Sequence, residues 1–183
     1  MKKSDIRRLI KAQKSLLDEN ERQAAAEAAF AQLEQTAAFI MAQRILLYHS
    51  LPDELSTHAF IDKWHDTKAF YLPRVNGLDL EILPYDKSSM RLGAFQIEEP
   101  DGDDITDIND IEMIIVPAVA YDRNGNRVGR GKGYYDRLLC HTKALKVGIA
   151  YDFQVVDEIE TEQHDIGVDI VITDKSVYRR KKR

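Results

Sequence analysis

The chain has 183 residues and a mass of 21.0 kDa, which is typical of one compact domain, and its hydrophobic content of 44% argues against general disorder. The 26 basic and 31 acidic residues give a net charge of −5, whose long-range field disfavours a general binder of nucleic acid or anionic membranes. The single cysteine, Cys140, excludes an internal disulfide, and we expect a buried or half-buried structural thiol there. Because neither a signal peptide nor an apolar run of about 20 residues is present, we expect a cytoplasmic protein with no membrane span, and we expect a monomer.

The first 43 residues show a helical pattern of apolar positions. Ser4 is predicted to cap a first helix, with Asp5 in the first turn, where a carboxylate suits the helix dipole. A second helix is predicted to start near Asn20. We expect the two helices to cover a sheet.

From Arg44 onward the pattern changes to short apolar runs that are typical of buried strands. The predicted strands are 45–48, 70–72, 80–83, 113–116, 146–149 and 168–172. Pro73 is predicted to end the second of them, a helix capped by Ser56 or Thr57 follows the first, and another helix spans about 133–141. Strands separated by helices predict an α/β fold with three αβα layers and a largely parallel open sheet, on which the N-terminal helices pack.

We expect a single domain over residues 1–183. The acid-rich segment 85–110 is predicted to be a solvated loop. Residues 175–183 contain six basic residues and no acid, and we expect them to form a mobile basic tail.

The glycine-rich segment 121–137 carries the densest chemical signal in the chain. Gly129, Gly131 and Gly133 alternate between a predicted strand and a predicted helix. Alternating glycines leave backbone N–H groups open to a ligand, and a helix N-terminus adds its dipole, so this segment predicts an anion site. The spacing matches neither the P-loop nor the G-x-G-x-x-G fingerprint.

Charged side chains in the same segment support the anion site. Arg127, Arg130 and Lys132 add positive charge. Asp136, in the first helical turn, indicates either a Mg²⁺ ion beside a phosphate or an acid placed there by the helix dipole alone. The residues leave these two interpretations open.

Residues 129–137 (Gly-Arg-Gly-Lys-Gly-Tyr-Tyr-Asp-Arg), preceded by Val-Pro-Ala-Val-Ala-Tyr-Asp at 116–122, resemble the signature of the 5-formyltetrahydrofolate cyclo-ligase family, also called methenyltetrahydrofolate synthetases. Further segments agree in order and spacing. They are 3–7, 48–57, 72–74, and 164–165 with 168–173. The resemblance covers the chain up to the basic tail.

The resemblance implies a ligase of folate one-carbon metabolism that binds two small molecules, ATP and 5-formyltetrahydrofolate, with Mg²⁺ as cofactor. It implies that the formyl oxygen attacks the γ-phosphate of ATP, that N10 closes the ring on the phosphorylated intermediate, and that ADP and phosphate leave with 5,10-methenyltetrahydrofolate. Such a reaction requires substrate positioning and charge stabilisation rather than a protein nucleophile.

The resemblance also implies roles for individual residues. Arg130 and Lys132 would be catalytic, Asp136 and Asp169 would hold Mg²⁺, and Arg74 is a candidate for an anionic group of either substrate. The implied ATP contacts are Lys3, Ser4, Asp5, Ile6, Arg7, Arg127, Val128, Gly129, Arg130, Gly131, Lys132, Gly133, Tyr134 and Tyr135. The implied 5-formyltetrahydrofolate contacts are His49, Glu54, Arg130, Gly131, Lys132, Gly133 and Tyr134.

Three alternatives stay open at the level of the sequence. A sugar-phosphate isomerase or CoA-transferase relative would share an α/β sheet but would not hydrolyse ATP. A regulator that binds nucleotide or folate without turnover is favoured only by His49, which stands where the family often has an aliphatic residue. The basic residues 179–183 could contact RNA.

Overall fold

Most of the apolar runs predicted as strands lie side by side in one large sheet. The computed structural model describes residues 1–181; Lys182 and Arg183, from the predicted basic tail, lie outside the described residues. The helices are α1 (Lys3–Lys14), α2 (Glu19–Glu34), α3 (Ala37–Met41), α4 (His58–Trp64) and α5 (Tyr134–Leu139). The strands are β1 (Arg44–Leu46), β2 (Ala69–Asn76), β3 (Asp79–Pro84), β4 (Met90–Leu92), β5 (Glu98–Pro100), β6 (Met113–Val116), β7 (Ala120–Asp122), β8 (Arg127–Val128), β9 (Leu145–Ala150), β10 (Val155–Val156), β11 (Ile170–Thr173) and β12 (Val177–Arg179).

The large sheet has seven strands in the order β12-β11-β9-β6-β1-β2-β3. The five central strands, from β11 to β2, run parallel, and the edge strands β12 and β3 are antiparallel to their neighbours. A second sheet has the order β10-β7-β8, and β4 pairs with β5. The predicted α/β fold with a largely parallel sheet is therefore confirmed.

The large sheet is covered on both faces, which gives the predicted three layers. Alternate residues along a strand point to opposite faces. On β6, Met113 and Ile115 pack in the core beneath α2, α3 and α4, whereas Ile114 and Val116 pack in the core that contains Leu138 and Leu139 of α5.

The first helix packs elsewhere than expected. Helix α2 contacts β9 and β11 of the large sheet, but α1 contacts β7 and β8 of the small one. Its buried residues Ile6 and Ile10 share a separate core with Val128. The expected N-cap at Ser4 is also wrong, because α1 begins at Lys3 and Lys2 occupies the capping position without a side-chain hydrogen bond.

The proline at position 73 does not end the second strand. Pro73 lies inside β2, opposite Ile82 of β3. On the β3 side, Phe70 forms a hydrogen-bonded pair with Tyr85, whose N–H donates to the Phe70 carbonyl. Because hydrogen-bonding direction alternates along a strand, the Pro73 nitrogen, three residues later, faces β1 instead. The pairing of β1 with β2 ends at Tyr71, so the missing N–H of Pro73 costs no ladder hydrogen bond.

Three other expectations need correction. Residues 177–179 of the predicted mobile tail form β12, an edge strand paired with β11. The predicted loop 85–110 contains the paired strands β4 and β5. Cys140 is exposed, because it follows the last residue of α5 and points away from the core.

No helix among the described residues is long and apolar enough to cross a membrane.

Candidate active site

The hairpin β7–β8 leads the chain into the glycine loop, and a buried aspartate fixes its turn. Asp122 is 0% exposed. Its Oδ1 accepts hydrogen bonds from the backbone N–H groups of Asn124 at 2.9 Å and Asn126 at 3.0 Å. Its Oδ2 accepts from the Asn126 side chain and from the backbone of Ile159. The segment Asp-Arg-Asn-Gly-Asn at 122–126 carried this turn signal in the sequence, and it was missed.

The glycine loop (residues 129–133) uses glycine where the backbone requires it. Gly131 and Gly133 have φ values of +97° and +73°, which other residues rarely adopt. Gly133 occupies the N-cap of α5 and brings no side chain that could cover the free N–H groups. The loop therefore presents backbone donors, as predicted for an anion site.

Arg127 anchors this loop to a distant segment instead of pointing at open space. It is 8% exposed, donates from Nε to the carbonyl of Ile166 at 2.9 Å, and donates from Nη2 to Asp136 at 2.7 Å. Asp136 Oδ1 also accepts from the Ile166 N–H at 3.0 Å. Two of the three guanidinium nitrogens are thus engaged by protein, and the predicted ATP contact is limited to the third.

The first turns of α1 lie against the glycine loop, which brings together two segments that are 122 residues apart. Arg7 donates from Nε to the carbonyl of Gly129 at 2.8 Å. Lys3 forms an ion pair with Asp165 at 2.5 Å. Lys3 and Arg7 are therefore placed beside the loop, as the resemblance implies.

The other implied contacts on these elements differ in what they can offer a ligand. Ser4 is exposed, and Asp5 pairs with Arg8 at 2.5 Å. Ile6 and Val128 are 0% exposed and belong to the small core. Only their backbone groups could reach a bound nucleotide.

Arg130 links the glycine loop to the loop after β1. Its guanidinium lies 3.0 Å from Asp53 and 3.9 Å from Glu54. About half of its side chain is exposed, so it keeps donors available to a ligand. Arg130 comes 77 residues after Asp53, and its contact joins the two loops into one continuous surface.

Lys132 reaches from the glycine loop in another direction. Its ammonium lies 5.3 Å from the centre of the Phe95 ring. Phe95 and the next residue, Gln96, both have φ of 58°, a left-handed conformation that is strained for residues with a side chain. The segment between β4 and β5 is therefore held over the glycine loop in an unusual conformation.

A cavity of about 800 Å³ opens beside this junction, within the range typical of ligand sites. It lies between α2, the loop that follows β1, and the segment before β5. Among the lining residues are His49, Glu54, His58, Gln96, Glu98 and Tyr151. The structure therefore brings the two implied folate contacts, His49 and Glu54, into the same cavity.

Burial shifts the titration of both implied folate contacts. Desolvation raises the pKa of Glu54, although a hydrogen bond from the Leu51 N–H at 3.0 Å and the charge of Arg130 oppose the shift. Desolvation also lowers the pKa of His49, and the stacked ring of His58, 4.0 Å away, acts in the same direction. Desolvation thus acts against the charged form of both side chains.

The tyrosines and Arg74 are engaged by protein. Tyr134 donates to the carbonyl of Gly77 at 3.3 Å, in the turn between β2 and β3. Tyr135 packs against the core, and burial raises the pKa of its phenol. Arg74 pairs with Glu81 across the same hairpin at 2.8 Å.

The two implied metal ligands lie in different surroundings. Asp136 sits directly after the glycine loop, and its Oδ2 has no hydrogen-bond donor within residues 1–181. Asp169 precedes β11 and accepts through Oδ2 from the backbone of Lys146 at 2.9 Å. A carboxylate with one oxygen fixed by protein and one free fits a Mg²⁺ ligand, and only Asp136 also adjoins the predicted anion site.

Comparison with known proteins identifies the family. The 5-formyltetrahydrofolate cyclo-ligase family model matches residues 1–174. The chain belongs to this family. A 5-formyltetrahydrofolate cyclo-ligase of Escherichia coli (strain K12) is 33% identical over 149 residues, which cover 76% of this chain and 82% of the relative. One from Haemophilus influenzae is 35% identical over 144 residues, covering 72% and 76%.

A solved structure supports the same conclusion for the fold of this cyclo-ligase family member. The NMR structure of Aquifex aeolicus 5,10-methenyltetrahydrofolate synthetase has a TM-score of 0.90 and 34% identity. The alignment covers 100% of this chain and 95% of that one. The open alternative of a sugar-phosphate isomerase or CoA-transferase relative is therefore wrong.

Two residues of this family member were missed by the sequence analysis. Asp165, the partner of Lys3, lies in a segment that matched the family signature but was given no role. Lys14 lies on α1 eleven residues after Lys3 and so on the same helical face, and that spacing was the signal available for it. Asp165 lies against the first turn of α1, and Lys14 lies at its end, where the Lys14 carbonyl accepts a hydrogen bond from Arg22 of the cavity.

Proposed function

We propose that the protein catalyses the ATP-dependent conversion of 5-formyltetrahydrofolate to 5,10-methenyltetrahydrofolate, with release of ADP and phosphate. The observation that carries this proposal is the contact of Arg130 with Asp53 and Glu54. It joins a glycine loop suited to phosphates to a cavity of suitable size for a folate. A phosphoryl group can therefore pass between two ligands at this junction.

The chemistry follows from the two substrates. The formyl oxygen attacks the γ-phosphorus, the bond to the β-phosphate oxygen breaks, and ADP leaves. The formyl carbon then carries a phosphate and forms an iminium with N5. N10 attacks this carbon, phosphate departs with the former formyl oxygen, and N10 loses its proton as the ring closes. No protein nucleophile is needed, which agrees with a site composed of cations, backbone donors and carboxylates.

The residues divide between binding and charge stabilisation. Lys3, Arg7 and the N–H groups of the glycine loop bind the ATP phosphates. Arg130 and Lys132, both exposed on that loop, stabilise the charge on the phosphoryl group during transfer. Glu54 accepts hydrogen bonds from the pterin, and its hydrogen bond from the Leu51 N–H fixes its orientation.

We further propose that ATP binds with Mg²⁺. Asp136 supports the ion through its free carboxylate oxygen, and Asp169 is the second ligand that the family resemblance implies. When bound, the ion would neutralise part of the phosphate charge beside the glycine loop. Arg127 holds the other oxygen of Asp136 and so positions this carboxylate.

Product formation tests the proposal directly. The protein is mixed with 5-formyltetrahydrofolate, ATP and Mg²⁺, and the absorbance of the methenyl product is followed, with reactions lacking ATP as controls. We expect product and ADP in equal amounts. Binding of both ligands without product would instead support the second candidate, a nucleotide- or folate-binding regulator.

A further inference from the structure

We propose that Lys14 is a catalytic residue whose ammonium contacts the phosphoryl group as it passes from ATP to the formyl oxygen. This inference rests on the proposed function and adds a residue that the family signature segment 3–7 does not include. It begins with burial. Lys14 is 8% exposed, which is rare for a lysine without a partner.

The protein itself offers this ammonium no acceptor. Within residues 1–181, Lys14 Nζ has no hydrogen bond, and no carboxylate lies within 4.0 Å of it, although every other buried lysine or arginine side chain makes hydrogen bonds. Lys68, for example, donates to the carbonyls of Phe39 and Ala42. Among the described residues, the fully buried side-chain atoms without a partner are Gln13 Oε1 and Tyr151 OH, so Lys14 Nζ reaches solvent although the rest of the residue is buried. A largely desolvated ammonium that has no protein acceptor and still reaches the surface is available to an anionic ligand.

The surrounding charges locate this ligand. The groups that act on the Lys14 ammonium are Asp53, Glu54, Arg130 and Arg22. Arg22, which lines the cavity, donates to the Lys14 carbonyl at 2.6 Å and to the Pro52 carbonyl at 3.4 Å, so Lys14 lies beside the loop that carries Asp53 and Glu54. The nearby acids are engaged elsewhere, since Asp53 accepts from Arg130 and Glu54 from the Leu51 N–H.

The geometry of α1 supports the same assignment. Lys3, Arg7 and Lys14 share one helical face, because spacings of four and eleven residues return to nearly the same angle. Lys14 lies about 10 Å along the axis from Arg7, at a rise of about 1.5 Å per residue. The helix thus extends a row of cations from the predicted phosphate site to the cavity.

The site favours an anionic partner over a neutral one. Burial lowers the pKa of Lys14, assisted by Arg130 and Arg22 and opposed by Asp53 and Glu54. Negative charge on a phosphoryl group would favour the protonated form and so oppose this shift. The ammonium would then serve as a charge stabiliser that acts mainly when the phosphoryl group is in transit.

The test compares Lys14→Met, Lys14→Arg and the control Lys11→Met, which removes an exposed lysine from the same helix. We expect Lys14→Met to lower kcat by about 100-fold or more, Lys14→Arg to recover most of it, and Lys11→Met to leave it within about twofold. The KM values for both substrates should change little. In wild type, kcat should fall at alkaline pH, and in Lys14→Arg this fall should move to higher pH.

Thermal unfolding separates this role from a structural one. Lys14→Met removes a partly desolvated charge that has no protein partner, so we expect its Tm to equal or exceed that of wild type. The assignment is overturned if Lys14→Met keeps kcat within about twofold of wild type. It is also overturned if Lys14→Met lowers both kcat and Tm, and Lys14→Arg restores neither kcat nor Tm. A wild-type protein without turnover would overturn the proposed function, whereas an active wild type with an active Lys14→Met rejects this inference alone.

Discussion

Glu54 is a proposed folate contact that, at neutral pH, lowers the free energy of unfolding. Its carboxylate is buried, so its pKa in the folded protein lies above the ordinary glutamate value. The unfolded chain therefore releases this proton at lower pH than the folded protein does. As pH rises from the ordinary glutamate pKa to the raised one, Glu54 lowers the free energy of unfolding, and above that window the loss is complete.

This reasoning predicts opposite effects of Glu54→Gln on stability and activity. At neutral pH we expect the Tm to rise by a few degrees, and the gain to disappear below about pH 4, the ordinary range of glutamate. The KM for 5-formyltetrahydrofolate should rise about tenfold or more, because a hydrogen bond to a charged group is lost. Tm against pH and steady-state kinetics measure both, with the exposed Glu158→Gln as control. A variant that is less stable than wild type at pH 7, yet not at pH 4, would contradict the assigned pKa direction.

Lys132 provides the test of charge stabilisation from the glycine loop. We expect Lys132→Ala to lower kcat by about 10-fold to 1,000-fold, because a cation is removed beside the phosphoryl transfer. Lys143→Ala removes a second exposed lysine, outside the glycine loop, and should leave kcat unchanged. Equal kcat values for the two variants would reject the catalytic role of Lys132.

Asp136 tests the proposed metal dependence. We expect Asp136→Asn to raise the Mg²⁺ concentration needed for half-maximal rate, because an amide oxygen binds this hard cation more weakly than a carboxylate does. Asp169→Asn should shift the titration in the same direction if it supplies the second ligand. A Mg²⁺ titration that coincides with that of wild type would remove the corresponding residue from the metal site.

At the scale of elements, the hairpin β7–β8 is the part that positions the glycine loop. Removing the Asp122 carboxylate would leave four donors without their acceptor, on Asn124, Asn126 and Ile159. We expect Asp122→Ala to lower the free energy of unfolding by about 2–4 kcal/mol, with a lower kcat in the surviving folded fraction. Chemical denaturation at constant pH measures the first effect.

The control for this prediction is Asp107→Ala, because Asp107 accepts hydrogen bonds in a similar turn on the surface. Asp107 is exposed and accepts from the backbone and side chain of Asn109. We expect Asp107→Ala to cost less than about 1 kcal/mol, because water replaces the lost acceptor. If both variants lost a comparable free energy of unfolding, the burial of Asp122 would not explain its contribution to stability.

The elements also show what the sequence could and could not reveal about the fold. Continuous apolar runs identified β6, β9 and β11, because strands buried on both faces have no polar alternation. The apolar face of α1 was visible at Ile6 and Ile10, but a helical pattern does not say which sheet receives it. Residues 177–179 were assigned to a tail because the segment around them is rich in basic residues. An antiparallel edge strand tolerates exposed charges, so this composition does not exclude a strand.

The sequence located the segments that form the candidate site. It did not show which of their charged side chains are without protein partners. The glycine loop and the two cavity residues His49 and Glu54 followed from the family motif. Arg127 donates to Asp136, nine positions later, and to the carbonyl of Ile166, 39 positions later, and only the tertiary structure shows that both contacts form. Lys14 escaped notice because a lysine on a helix is normally solvated, and only the tertiary structure shows its burial.

At the scale of the whole molecule, the net charge of −5 and the proposed binding of a polyphosphate are compatible. The acidic surplus acts over a long range and disfavours extended polyanions. A few cations and backbone donors around the glycine loop act at contact distance on one nucleotide. The two effects operate at different distances, so overall charge does not decide whether ATP binds.

The central claim is that the formyl oxygen is activated by ATP at the junction of the glycine loop and the cavity. Its most direct test uses 5-formyltetrahydrofolate labelled with oxygen-18 in the formyl group, followed by mass analysis of the released phosphate. We predict that each phosphate formed with methenyl product carries the label, because the formyl oxygen leaves with the transferred phosphoryl group. Unlabelled phosphate, or product formed without ATP cleavage, would contradict this account.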